Sequence, residues 1–110
     1  MGDAAHGIIV FATGWCPYCH RARRTLDEVG VPYTWIDIDE APDAARRVME
    51  INHGDRTVPT IVFPGGRTLT APGRRALLAA LRLDGYAMDE RAAVSSLARI
   101  VARLFRRPAA

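Results

Sequence analysis

The run Gly7-Ile8-Ile9-Val10-Phe11-Ala12 constrains the fold more than any other stretch of this 110-residue chain. It is continuously apolar and rich in β-branched residues, the pattern of a strand covered on both faces. Thr13-Gly14 breaks it. Pro17 then stands where a helix can begin, because the N–H that proline lacks has no partner in a first turn. Cys19, Ala22, Leu26 and Val29 follow at helical spacing, with His20, Arg21, Arg23 and Arg24 mostly off that face. Gly30 is a natural terminator.

The alternation continues. Tyr33 to Ile38 reads as a second strand, and Ala41 to Ile51 as a second helix closed by Asn52-His53-Gly54. Pro59 to Phe63 is a third strand. Pro64-Gly65-Gly66 signals a tight hairpin into Arg67-Thr68-Leu69-Thr70, and Pro72 to Leu83 is a third helix. The order β-α-β-α-β-β-α asks for a parallel crossover first and a hairpin second. One four-stranded mixed sheet with helices on both faces satisfies it, an α/β arrangement of the thioredoxin type. Residues 1–83 read as one domain and 84–110 as a C-terminal helical extension. Asp84-Gly85-Tyr86 is the joint and Asp89 a helix N-cap. Val94, Leu97, Ile100, Val101, Leu104 and Phe105 fall on one face of this extra amphipathic helix. Arg91, Ser95, Arg99, Arg103 and Arg106 fall opposite. Packing on the domain or a homodimer through residues 89–106 is the expectation for it; contact with an anionic membrane is the less favoured option.

Composition narrows the class. Hydrophobic residues make up 49% and charged residues 25%, as in an ordinary globular domain. Net charge is +3, and all fifteen basic residues are arginine. No aromatic residues interleave with them as in a single-strand binder, so nucleic acid is not an expected partner. The first residues lack a basic segment, and the apolar run after them is too short for a signal peptide, so a cytoplasmic setting is expected. Thiols there are kept reduced.

Cys16 and Cys19, in Trp15-Cys16-Pro17-Tyr18-Cys19-His20, are the only cysteines. At the start of the first helix, unpaired N–H groups and the macrodipole favour an anion at Cys16. The thiolate is the nucleophilic form. Cys19 lies about one turn later on the same side but deeper. Cys16 is therefore expected exposed and attacking, Cys19 shielded and resolving. Arg21, Arg23 and Arg24 add positive potential without an assigned contact. A zinc site would need four ligands, and His6, His20 and His53 have unsuitable spacing. Cys-Pro-Tyr-Cys-His also matches a c-type haem attachment pattern, but haem attachment needs export and competes with the strand and helix. No metal or bound organic cofactor is expected. Thr57-Val58-Pro59-Thr60 is the second element. Its proline at a strand boundary suits a cis bond, and the Val58 backbone is left to pair with an extended substrate.

Cys16-Pro17-Tyr18-Cys19, Thr57-Val58-Pro59 and the element order resemble the glutaredoxin family over roughly Gly7 to Leu83. Trp15, Asp55-Arg56-Thr57-Val58-Pro59-Thr60 and Thr68-Leu69-Thr70-Ala71-Pro72 look closer to its mycoredoxin branch, which uses mycothiol in place of glutathione. The resemblance implies a thiol–disulfide oxidoreductase acting on mixed disulfides between proteins and a small thiol. Cys16 would be its nucleophile, Cys19 its resolving thiol, Pro59 its cis proline and Val58 its backbone contact to the thiol. Mycothiol or glutathione would be a co-substrate. No lysine precedes the cysteines, and Leu69-Thr70-Ala71-Pro72 replaces the usual Gly-Gly and acid, which argues against glutathione. Trp15, Tyr18, Arg56 and Thr57 complete the candidate substrate-binding set; Arg56 suits a carboxylate, and Trp15 serves as platform or cover. Trp35 and Phe63 are expected in the core, His20 in solvent, and Asp37 and Asp39 at the surface or as caps. Two other readings are a dithiol donor to a reductase, fed by a flavoprotein, and a redox-sensing adaptor that binds a partner through its tail.

Overall fold

The computed structural model describes residues 7–89. Strand β1 (Ile8–Ala12) is buried along its whole length, as its unbroken apolar run requires. It pairs in parallel with β2 (Tyr33–Asp37), in a register that sets Ile8 beside Tyr33 and Ala12 beside Asp37. On its other side it pairs antiparallel with β3 (Thr60–Val62), and β3 pairs antiparallel with β4 (Thr68–Thr70). The strand order is β2-β1-β3-β4, the mixed four-stranded sheet expected from the sequence.

Alternation along β1 divides the core. Ile8, Val10 and Ala12 meet Ala22 and Leu26 of α1 (Pro17–Glu28) and Leu77 and Leu81 of α3 (Arg74–Leu83). Ile9 and Phe11 meet Ala45 and Val48 of α2 (Pro42–Ile51) on the opposite face. Burying a side chain such as Leu26 contributes about 1.5–3 kcal/mol. Helices α1 and α3 end alike. Gly30 and Gly85 take positive φ, and the next amides, of Val31 and Tyr86, donate back to the carbonyls of Leu26 and Leu81. Such an ending needs a left-handed residue, which glycine supplies without a Cβ clash.

Several boundaries differ from the sequence reading. β2 ends at Asp37, although the Ile38 amide still donates to the Ala12 carbonyl. β3 starts after Pro59, which has no N–H for the ladder. Ala41 caps α2 rather than entering it, and α3 begins at Arg74 with Gly73 as its cap. Phe63 is core, but Trp35 is only half-buried. β2 is an edge strand, so α1 covers just part of the ring. The Arg23 guanidinium sits 3.8 Å from the Trp35 ring centroid and His20 stacks at 5.8 Å.

After α3 the chain turns back across the core. Tyr86 and Met88 pack against it, and the Asp89 amide donates to the Val29 carbonyl at 2.7 Å. The tail helix expected over residues 89–106 lies, apart from Asp89, outside the described residues. Among the described residues no helix is long and apolar enough to cross a membrane.

Candidate active site

The central strand delivers the chain to the two cysteines. β1 ends at Ala12, and the Cys16 amide donates to the Thr13 carbonyl at 3.4 Å. Cys16 is extended (φ −87°, ψ 113°) and caps α1. Pro17 follows at the first helical position, so no N–H is lost there. The Cys16 Sγ accepts the Cys19 amide at 3.2 Å, taking the place that a serine or aspartate oxygen takes in an ordinary cap. As a thiol, Sγ also faces the Val58 carbonyl at 3.9 Å. The Val58–Pro59 peptide is cis.

This placement corrects one expectation. Cys16 is only 3% exposed, against 0% for Cys19. Capping turns the sulfur inward, toward the Cys19 amide and the Val58 carbonyl. The two thiols therefore differ less in exposure than in what they touch. Sγ of Cys16 receives a helix-terminal N–H, which stabilises negative charge. Burial first, and then the hydrogen bond with Cys16, push the Cys19 thiol up to about 12. At neutral pH Cys19 is held protonated.

The loop before β3 is braced. The Thr60 hydroxyl donates to the Thr57 carbonyl at 2.8 Å, and the Asn52 side-chain amide donates to the Thr60 oxygen at 2.9 Å. The Val58 amide has no acceptor among the described residues. It is available to an extended ligand beside Cys16.

Aromatic side chains flank the cysteines. Trp15 is 73% exposed and Tyr18 63%. Trp15 Nε1 donates to an Asp39 carboxylate oxygen at 2.9 Å, and the Asp39 amide donates to Asp37 at 2.8 Å. Asp39 therefore anchors the indole in addition to lying at the surface. The Arg21 guanidinium lies 5.4 Å from the Tyr18 ring centroid. Arg56 and Thr57 are exposed, and Arg56 shares a shallow 370 Å³ pocket with Asp39 and Met49. The structure thus gathers Cys16, Cys19, Val58 and Pro59 tightly. It sets Trp15, bonded to Asp39, near the pocket that Asp39 shares with Arg56, and Tyr18 apart from them.

Sequence reading missed two contributors. His20 is exposed, as expected, but it also donates from Nε2 to the Gly14 carbonyl at 2.7 Å; a carbonyl only accepts, so this nitrogen carries the proton. The ring thereby ties α1 to the loop that leads into Cys16. Asp39 was legible in principle. Parallel pairing of Ala12 with Asp37 brings the residues just after β2 beside those just after β1.

The family model for glutaredoxins matches residues 8–67. The chain belongs to the glutaredoxin family. As a member it is a thiol–disulfide oxidoreductase, and its Cys-Pro-Tyr-Cys segment stands at the start of α1. Curated relatives agree. A Mycobacterium tuberculosis protein described as a glutaredoxin is 40% identical over 65 residues, 59% of this chain and 77% of that protein. Mycoredoxin 1 of Corynebacterium glutamicum is 38% identical over 65 residues, 59% of this chain and 80% of its own length. Among solved structures, a glutaredoxin from Archaeoglobus fulgidus superimposes with a TM-score of 0.63 at 22% identity, covering 70% of this chain and 87% of that one. That likeness concerns the fold. The glutaredoxin homology makes disulfides its substrates and a low-molecular-weight thiol its co-substrate.

Proposed function

We propose that this glutaredoxin-family protein reduces mixed disulfides between proteins and mycothiol, with Cys16 as the attacking sulfur. The observation that carries the reading is the position of Cys16 Sγ, which caps α1 at 3.2 Å from the Cys19 amide beside the open Val58 backbone. The likeness to mycoredoxin 1 supports mycothiol as the thiol.

In the first step the Cys16 thiolate attacks the small-thiol sulfur of the mixed disulfide. That S–S bond breaks, the protein sulfur leaves as a thiolate, and it takes a proton from solvent. Cys16 now holds the small thiol in a new disulfide. A second small-thiol anion attacks the sulfur of the bound one and regenerates the Cys16 thiolate. The net exchange consumes one free small thiol: the protein sulfur returns to a thiol, and the incoming small thiol ends joined to the transferred one in a symmetric disulfide. The Val58 amide and carbonyl hold the extended part of the bound thiol. Trp15, Tyr18, Arg56 and Thr57 shape the surface around it, and Pro59 shapes the loop. Cys19, mostly held protonated, offers a slower second exit: the small fraction present as thiolate attacks the Cys16 sulfur, the bond to the small thiol breaks, that thiol leaves as a thiolate, and an intramolecular disulfide closes. Residues 1–83 form the working domain, residues 84–110 extend it, and the setting is the cytoplasm.

One protein substrate carrying either mycothiol or glutathione tests this reading. Faster turnover of the mycothiol form is expected, with Cys19→Ser active and Cys16→Ser inert. Equal or faster turnover with glutathione removes mycothiol from the reading. Loss of all activity in Cys19→Ser removes the route through a second small thiol.

A further inference from the structure

A second surface starts at Tyr18 and runs away from the reacting sulfur. A groove of about 510 Å³ lies between α1 and the start of α3, with Tyr18, Arg21 and Arg24 on one wall and Pro72 and Arg74 on the other. Buried Leu77 contributes apolar surface to its lining. Val58 does not line it, but the groove adjoins the loop proposed for the small thiol: Tyr18 belongs to both surfaces, and the amide of groove-lining Ala71 donates to the Pro59 carbonyl at 2.7 Å.

Its charge is one-sided. Arg74 donates to Glu28 at 2.6 Å, and Glu28 is the only acid in the lining. Arg21 and Arg24 are left over. Arg21 lies against the Tyr18 ring, and Arg24 has no hydrogen-bond or ion-pair partner among the described residues. Residues 90–110 carry one acid, Glu90, and five arginines, so the sequence there adds more positive than negative charge.

We infer that this groove receives acidic residues flanking the reactive cysteine of a protein substrate. The inference rests on Cys16 as the attacking sulfur. Arginine pairs with carboxylates through two parallel N–H donors, and a groove of one sign raises the encounter rate with the opposite sign. Arg21 and Arg24 lie five and eight residues beyond Cys16, about 7–12 Å along the helix at 1.5 Å per residue. An extended peptide covers about 3.3 Å per residue. Carboxylates about two to four residues from the disulfide therefore reach the two guanidinium groups.

The test uses the full chain and three peptides, each with one cysteine in a disulfide to 2-mercaptoethanol. Residues two to four positions away on both flanks are aspartate, asparagine or lysine. At low ionic strength the aspartate peptide is expected to exceed the asparagine peptide about tenfold in kcat/KM, mainly through KM. The ratio is expected to shrink as salt is added. Arg24→Glu is expected to abolish the preference, and Arg24→Gln to reduce it. Arg46→Glu makes the same change in net charge on α2, across the sheet, and is expected to retain the preference. Bis(2-hydroxyethyl) disulfide, small and uncharged, is expected to turn over equally in all four proteins. This control is run at physiological salt, where the Debye length of about 8 Å is shorter than the roughly 12 Å of helical rise between Cys16 and Arg24. Equal kcat/KM for the aspartate and asparagine peptides overturns the inference, as does an equal loss in Arg24→Glu and Arg46→Glu. A wild-type chain inert toward the small disulfide overturns the Cys16 reading and this inference together.

Discussion

Closure of the Cys16–Cys19 disulfide is expected to accelerate about tenfold per pH unit near neutrality and to keep accelerating beyond pH 9. Only the Cys19 thiolate attacks, and this thiol is pushed from an ordinary 9.0 to about 12. At pH 7 a thiol at 9.0 is about 1% ionised and one at 12 about a thousandfold less. Part of that rise belongs to the free Cys16 sulfur and falls away once Cys16 carries a small thiol. Burial is the largest cause, and it stays, since Cys19 is fully enclosed. The thiol therefore remains above 9.0 in the loaded protein. The assay loads Cys16 with the small thiol at pH 5, removes excess, and jumps the sample to each pH. Acid quenching and intact mass then follow loss of the adduct. Cys19→Ser is the blank, in which the adduct persists. The logarithm of the rate is expected to rise with a slope of about one near neutrality and to be still rising at pH 9. A rate that levels off below pH 9 would refute the reasoning, because it would mean that Cys19 ionises as an ordinary thiol.

Three further outcomes follow from the same geometry. Folding stability is expected to fall by a few kcal/mol as pH rises from 9 toward 12. The unfolded chain releases the Cys19 proton near 9.0 while the folded one keeps it, and Tyr33 and Tyr86, both raised by burial first, act in the same direction. Urea midpoints at pH 8.5 and 10.5 measure this, and Cys19→Ser is expected to flatten the fall; an unchanged fall would assign it to other groups. Asp39→Ala is expected to release the Trp15 indole at a cost of about 1 kcal/mol or less. Fluorescence anisotropy in a Trp35→Phe background is expected to drop for Ala and to hold for Asn. Thr13→Val is expected to stabilise the fold by about 1 kcal/mol, because the Thr13 hydroxyl is buried without a partner; a lower thermal midpoint would show that the hydroxyl is satisfied.

What the sequence showed of this fold follows from where its signals are local. β1, the two glycine-terminated helices and the Pro64-Gly65-Gly66 hairpin each rest on neighbouring residues, and all are present. The two cysteines were legible for the same reason, since a helix start and three-residue spacing bring them together. Contacts set by sheet order were not. Trp35 looked like core because its strand is apolar enough, but only the position of β2 at the edge shows how little covers it. The burial of Cys16 depends on Val58, forty-two residues away. The Trp15–Asp39 bond needed the register of β1 on β2.

The bond from the Asp89 amide to the Val29 carbonyl fixes where the described chain leaves the domain. Val29 caps the far end of α1, while Cys16 caps its start. Thirteen residues separate these caps in sequence, about 20 Å at helical rise. The first helix thus acts as a spacer as well as an electrostatic device. A protein or tag joined after residue 89 would begin at the opposite pole of α1 from the reacting sulfur, which makes that junction a suitable point for attaching a probe or a surface.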